Sequence, residues 1–146
     1  MKKIKIGVLG VSGHFLKRVF PSLCTAEFCE VYGIASRTAE TARAFAEKNN
    51  IPRSYGSYDE LVQDSAIDLV YIPLPNDLHG EWIKKCADAG KDIICEKPIA
   101  LNAQEAKDCE AYAQARGVRL MEAFMYKFHP QWIRAKECVD IGEIGT

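Results

Sequence analysis

A chain of 146 residues, 48% hydrophobic and 27% charged, has the make-up of one soluble globular domain with little left for a second. Its net charge of −1 comes without a cluster of Lys and Arg, which argues against a nucleic-acid partner. No apolar run approaches the roughly 20 residues of a membrane helix, so no membrane partner is expected.

The basic start, Lys2-Lys3, precedes an apolar stretch from Ile4 to Leu9 that Lys5 interrupts. That stretch is too short for a signal peptide and reads as a first strand. It runs into a glycine-containing turn, Gly10 to Gly13, and then a helical segment to about Leu23. Pro21 should kink that helix or begin a new turn. A second apolar segment, Val31 to Ala35, leads to a helix over about 39–48, with Ala39, Ala42, Phe45 and Ala46 on one side. A short extended piece at Arg53 to Tyr55 precedes Ser57-Tyr58-Asp59-Glu60, a capping box in which Ser57 and Glu60 satisfy each other's free backbone N–H groups.

The fourth strand is Leu69 to Ile72, stopped by Pro73 and Pro75. A helix over about 78–89 follows, with Leu78, Trp82 and Cys86 in one row and Gly90 past its end. The fifth strand is Asp92 to Cys95, Asn102 caps a helix to Arg116, and the sixth strand is Val118 to Met121. A last helix begins at Pro130, a favoured first-turn residue. Strands that alternate with helices and have continuous apolar cores belong to a parallel sheet covered on both faces. The fold class is therefore α/β: a doubly wound, six-stranded Rossmann sheet. Six cysteines without a C-x-x-C pair, and three histidines without metal-ligand spacing, read as reduced thiols of a cytoplasmic protein with no metal site.

Four segments are candidates for chemistry. Gly10-Val11-Ser12-Gly13-His14-Phe15, between a strand and a helix, is an imperfect G-x-G-x-x-G, with Ser12 where the second glycine belongs. Small residues there let a pyrophosphate approach backbone N–H groups, while a plain tight turn is the alternative. The second strand ends in Ser36-Arg37-Thr38 with no carboxylate. A hydroxyl and a guanidinium suit a ribose 2′-phosphate, which favours NADP, with NAD as the alternative. The blander assignment has Ser36 or Thr38 capping the next helix and Arg37 solvated.

Ile72-Pro73-Leu74-Pro75-Asn76-Asp77-Leu78-His79 lies at the carboxyl end of the fourth strand, where doubly wound sheets bind ligands. Asn76 would cap the helix, contact cofactor, or both, and His79 would either line the cleft or lie on the surface. Glu96-Lys97-Pro98 follows the fifth strand. It puts a carboxylate and a lysine at the same edge of the sheet, where a partly buried Lys97 could donate to a carbonyl or hydroxyl oxygen; a surface Glu-Lys pair before a proline is the alternative.

Glu96-Lys97-Pro98, the N-terminal Rossmann half, and Glu122-Ala123-Phe124-Met125-Tyr126-Lys127-Phe128-His129-Pro130-Gln131 together resemble the Gfo/Idh/MocA oxidoreductases. The resemblance spans essentially the whole chain and is nearest the branch of D-xylose dehydrogenase, glucose–fructose oxidoreductase and dihydrodiol dehydrogenase. It departs at Ser12-Gly13 and at Lys127, where that branch more often has arginine.

The resemblance implies hydride transfer between nicotinamide and a sugar or cyclic polyol carbon. Lys97 would orient the reacting oxygen and assist its proton transfer, and Glu96 would contact the nicotinamide ribose. Pro73 and Asn76 would line the cofactor cleft, with Tyr126 and His129 near the substrate entrance. Residues 1–123 would form the dinucleotide-binding domain, and 124–146 the start of a connection to a substrate domain outside this chain. The full-length protein would be a homo-oligomer. Two other readings are a nucleotide-sensing Rossmann module and an S-adenosylmethionine methyltransferase. The second would usually show a carboxylate after the second strand, and would leave Glu96-Lys97-Pro98 unexplained.

Overall fold

The computed structural model describes residues 2–144. Met1, Gly145 and Thr146, at the ends of the two expected segments, lie outside the described residues. Six parallel strands form one sheet in the order β3-β2-β1-β4-β5-β6. They are β1 (Ile4–Leu9), β2 (Cys29–Ala35), β3 (Arg53–Tyr55), β4 (Leu69–Ile72), β5 (Asp92–Cys95) and β6 (Leu120–Glu122). The order reverses between β1 and β4, so the loops leaving those two strands diverge and open a crevice at the carboxyl edge.

Helices cover the two faces unequally. On one face lie α3 (Tyr58–Gln63), α4 (His79–Asp88) and α5 (Ala103–Ala115). Leu61, Val62, Trp82, Ile83, Cys86 and Cys109 pack there against Leu9, Val70, Ile72, Ile93 and Cys95. Gly7 lets α3 come this close: a Cβ at that position would sit 2.6 Å from Leu61 Cδ2 and 2.9 Å from Ile67 Cδ1. The other face carries α1 (Phe20–Thr25) and α2 (Ala39–Asn49), whose Phe20, Leu23, Phe45 and Ala46 pack with Val8, Phe15 and Ile34. Over β4–β6 that second face stays open, as an apolar groove of about 280 Å³ lined by Leu69, Tyr71, Ile94, Met121 and Phe124 among others. Beyond β6, α6 (Pro130–Asp140) leaves Trp132 and Ile133 exposed.

The expected elements recur with shifts that have local causes. Pro21 does begin a new turn: Phe15–Val19 forms a wide π-type turn in which Phe20 N–H bonds back to Phe15 O, and α1 follows with Pro21 in its first turn. In the capping box, Ser57 Oγ accepts from Glu60 N at 3.2 Å, but Glu60 Oε2 accepts from Gly56 N at 3.0 Å rather than from Ser57. The sixth strand starts at Leu120, not Val118, because Val118 N still closes the end of α5 on Ala113 O. Ala39 is exposed, so the buried side of α2 is Ala42 and Ala46 with Phe45 half-buried. Cys29, Cys86, Cys95 and Cys109 are buried free thiols, whereas Cys24 is exposed and Cys138 half-buried.

Candidate active site

The cleft is built where β1, β4 and β5 end. After Leu9 the chain turns at Gly10, whose φ of 109° is one that side chains resist. Its N–H donates to Ala35 O at 2.9 Å, which fastens the turn to the end of β2. Ser12 Oγ then accepts from Phe15 N at 3.1 Å, and Phe15 drops into the core against Tyr71 and Phe20. Ser12 thus caps the following turn where a second glycine was expected, while Gly13 and His14 stay exposed.

From the fourth strand come Pro73, Leu74 and Asn76, and from the fifth Glu96 and Lys97. Together with Ser12 and His14 they line a cleft of about 230 Å³. The two loops are joined through backbone: Glu96 N donates to Ile72 O at 3.0 Å. Tyr71 Oη donates to Glu96 Oε1 at 2.6 Å, and Lys97 N to Glu96 Oε2 at 3.3 Å. His14 Nε2 lies 3.4 Å from Glu96 Oε1, bridging the glycine turn and the loop after β5. Burial, and then the hydrogen bond to Glu96, push the Tyr71 phenol far above its usual range. The glycine turn and the lysine therefore share one rim of one parallel sheet.

At the adenosine end of a dinucleotide site, Thr38 caps α2 by accepting from Thr41 N at 3.3 Å. Ser36 is half-buried and Arg37 exposed. A Cβ on Gly10 would lie 3.5 Å from the Tyr58 hydroxyl, so this first residue of α3 reaches the glycine turn. Burial raises the Tyr58 phenol, and the nearby Arg37 guanidinium opposes that rise.

Several expected residues take other tasks. The Phe15 and Ile72 side chains are fully buried, so neither presents its side chain to the cleft. His79 is not on the surface but fully buried, with Nε2 2.8 Å from Leu74 O and Nδ1 2.9 Å from Pro98 O. Asn76 does not cap: neither the short turn Asn76–Leu78 nor α4 has a side-chain cap, and Asn76 is among the residues that line the cleft. Lys97 is exposed rather than partly buried. Tyr126 meets Phe124 edge to face and Trp132 at a tilt, and His129 caps α6 by accepting from Gln131 N at 3.2 Å. Their neighbours Met125 and Phe128 line the apolar groove that adjoins the cleft at Glu96.

Tyr71, Leu74 and Tyr58 belong to the site without being marked out by the sequence. Tyr71 looks like a core residue of a buried strand, and only its hydroxyl, on a strand adjoining the Glu96 loop, could have signalled otherwise. Among the described residues no group of three or more His, Cys, Asp or Glu could hold a metal ion, and no helix is long and apolar enough to cross a membrane.

Comparison with known proteins matches this architecture. The model of the Gfo/Idh/MocA oxidoreductase family, NAD-binding Rossmann fold, fits residues 4–124. The chain is 46% identical over 140 residues to an NADP-dependent D-xylose 1-dehydrogenase of Haloferax volcanii, covering 96% of this chain and 42% of the relative. It is 44% identical over 145 residues to an uncharacterised oxidoreductase of Rhizobium meliloti, covering 99% and 43%. A 3-ketoreductase from Actinomadura kijaniata, solved with NADP and TDP-benzene, superposes with a TM-score of 0.88 at 36% identity, over 99% of this chain and 44% of that one. The chain thus spans less than half the length of these relatives. Its sheet order, its cleft and the match over residues 4–124 place it in the Gfo/Idh/MocA oxidoreductase family, as a chain with the NAD-binding Rossmann fold.

Proposed function

We propose that this chain is the cofactor-binding half of an NADP-dependent oxidoreductase acting on a hydroxyl- or carbonyl-bearing carbon of a sugar or cyclic polyol. The observation that carries the reading is the meeting of Ser12, His14, Asn76, Glu96 and Lys97 in one cleft at the strand-order reversal. The naming of relatives as an NADP-dependent D-xylose dehydrogenase and a 3-ketoreductase solved with NADP supports the cofactor and substrate class.

The residues fit a dinucleotide. Gly10 turns the chain sharply, and a Cβ on Gly13 would meet nothing within 4 Å, so the turn is open on the side a pyrophosphate would approach. Ser36 and Arg37 would hold a ribose 2′-phosphate, and Glu96 the nicotinamide-side ribose hydroxyls. When bound, the nicotinamide supplies or accepts the hydride. Lys97, exposed at the rim, donates from Nζ to the reacting oxygen and stabilises charge that grows there during carbonyl reduction. Residues 1–123 form the cofactor domain and 124–146 begin the passage to a substrate domain. That further domain would complete the proton-transfer group, in a cytoplasmic homo-oligomer.

The test is NADP-linked oxidation of D-xylose, other aldoses and cyclic polyols by the full-length gene product. Lys97→Ala should remove turnover and leave NADPH affinity unchanged. Full turnover without the lysine would defeat its role. NADPH binding with no oxidation of any such substrate would leave the nucleotide-sensing reading in its place.

A further inference from the structure

Among the described residues Glu96 is the one acid lining the cleft, and its two carboxylate oxygens accept from Tyr71 Oη and Lys97 N. Tyr71, in β4, is 4% exposed, and its ring packs on Phe15 with centroids 5.7 Å apart. Packing of that kind fixes where the hydroxyl points. It donates at 2.6 Å to the Glu96 oxygen that also lies 3.4 Å from His14 Nε2. A chain of contacts therefore runs from the sheet interior, through the loop after β5, to the glycine turn.

A phenylalanine would fill the same space against Phe15. The hydroxyl adds nothing to that packing, and burying it costs free energy unless a partner accepts its hydrogen bond. The partner is Glu96, and a phenol–carboxylate bond this short is of the strong, charge-assisted kind. Because burial keeps the phenol protonated, it remains a donor throughout the working pH range.

We propose that Tyr71 is a positioning residue: its hydroxyl holds the Glu96 carboxylate at the seam between the glycine turn and the Lys97 loop, in the orientation that receives the nicotinamide-side ribose. The proposal rests on the cofactor reading above, and a cofactor-free readout keeps the two separable.

Tyr71→Phe removes one oxygen and keeps the ring, so the fold should survive. NADPH titrations by fluorescence on the wild type, Tyr71→Phe, Glu96→Gln and the double variant should show roughly ten-fold weaker binding for Tyr71→Phe. The double variant should bind no more weakly than Glu96→Gln alone, because the hydroxyl acts only through that carboxylate. Wild-type affinity in Tyr71→Phe, effects that multiply in the double variant, or a lowered melting temperature with affinity unchanged would each overturn the proposal. In crystals of unliganded Tyr71→Phe the Glu96 carboxylate should leave its place beside His14, and an unmoved carboxylate would overturn it as well. Failure of the wild type to bind either NADPH or NADH would strike the cofactor reading and the ribose-binding purpose assigned to Tyr71, while the crystals would still decide what holds Glu96.

Discussion

The Nδ1 of His79 lies 2.9 Å from the carbonyl oxygen of Pro98, and the opposite nitrogen of the same ring lies 2.8 Å from Leu74 O. One buried imidazole thus spans the loop that carries Asn76 and the loop that carries Lys97. A neutral ring has a single N–H and satisfies one carbonyl at a time; two donations require both nitrogens protonated.

His79→Ala should therefore act on stability and on binding together. It leaves a cavity and removes the ring that the Leu74 and Pro98 carbonyls share, a combination that should cost about 2–4 kcal/mol. Urea unfolding gives the stability loss, and NADPH titration should show weaker binding as the two loops drift apart. His79→Gln, which keeps a donor, should recover part of both. A variant as stable as the wild type would mean the ring bridges nothing that matters.

The glycine turn predicts a contrast between two neighbouring substitutions. A Cβ on Gly10 meets only ordinary contacts at 3.5 Å, so the penalty of Gly10→Ala comes from a φ of 109° and should be about 1–3 kcal/mol. Gly13 has a negative φ and open space around it. Gly13→Asp should leave the melting temperature nearly unchanged while weakening NADPH binding through bulk and charge beside the pyrophosphate. If Gly13→Asp binds cofactor as the wild type does, the pyrophosphate is not at this turn.

How far the sequence disclosed these features depended on the distance over which each was encoded. Strands such as Leu69 to Ile72 were legible because a parallel strand buried on both faces needs an unbroken apolar run, and the glycines and caps between them mark the crossings. Alternation alone then put Gly10 and Lys97 on the same rim. What stayed hidden were side chains whose partners lie far along the chain. Tyr71 meets Glu96 across 25 positions and His79 meets Pro98 across 19. Locally, each looks like an ordinary strand or helix residue. Asn76 misled for the opposite reason: its position resembles a cap, yet the short turn before α4 has no side-chain cap.

On the proposed reading, Arg37 would select the cofactor. It is exposed just after β2 near the Tyr58 phenol, and Ser36-Arg37-Thr38 holds no carboxylate to grip an unphosphorylated ribose. Arg37→Ala should weaken NADPH binding roughly ten- to hundred-fold and leave NADH affinity unchanged. Added salt should narrow the gap between the two cofactors in the wild type, since an exposed charge is screened. Equal affinities for both cofactors, unmoved by the substitution, would remove the 2′-phosphate from the reading.

Asp64 links stability to pH at a site that shares no residue with the cleft. Its Oδ2 accepts from Tyr55 Oη at 2.6 Å and its Oδ1 from Ala66 N at 2.7 Å, while Lys91 Nζ donates to the carbonyls of Asp64 and Ile67 at 2.7 and 2.8 Å. The Tyr55 hydroxyl first, and then the Ala66 N–H, hold the carboxyl below its ordinary value. A carboxyl whose pKa is lower folded than unfolded contributes its full stability above the unfolded value of about 3.9, and loses it as the pH falls through the lower folded value. Asp64→Asn should therefore melt at a lower temperature than the wild type at pH 7, with the gap closing in acid as the wild-type carboxyl takes up its proton. Thermal melts followed by circular dichroism across that range would show it. A gap of the same size in acid as at neutrality would mean that the shape of the side chain, not its charge, does the stabilising.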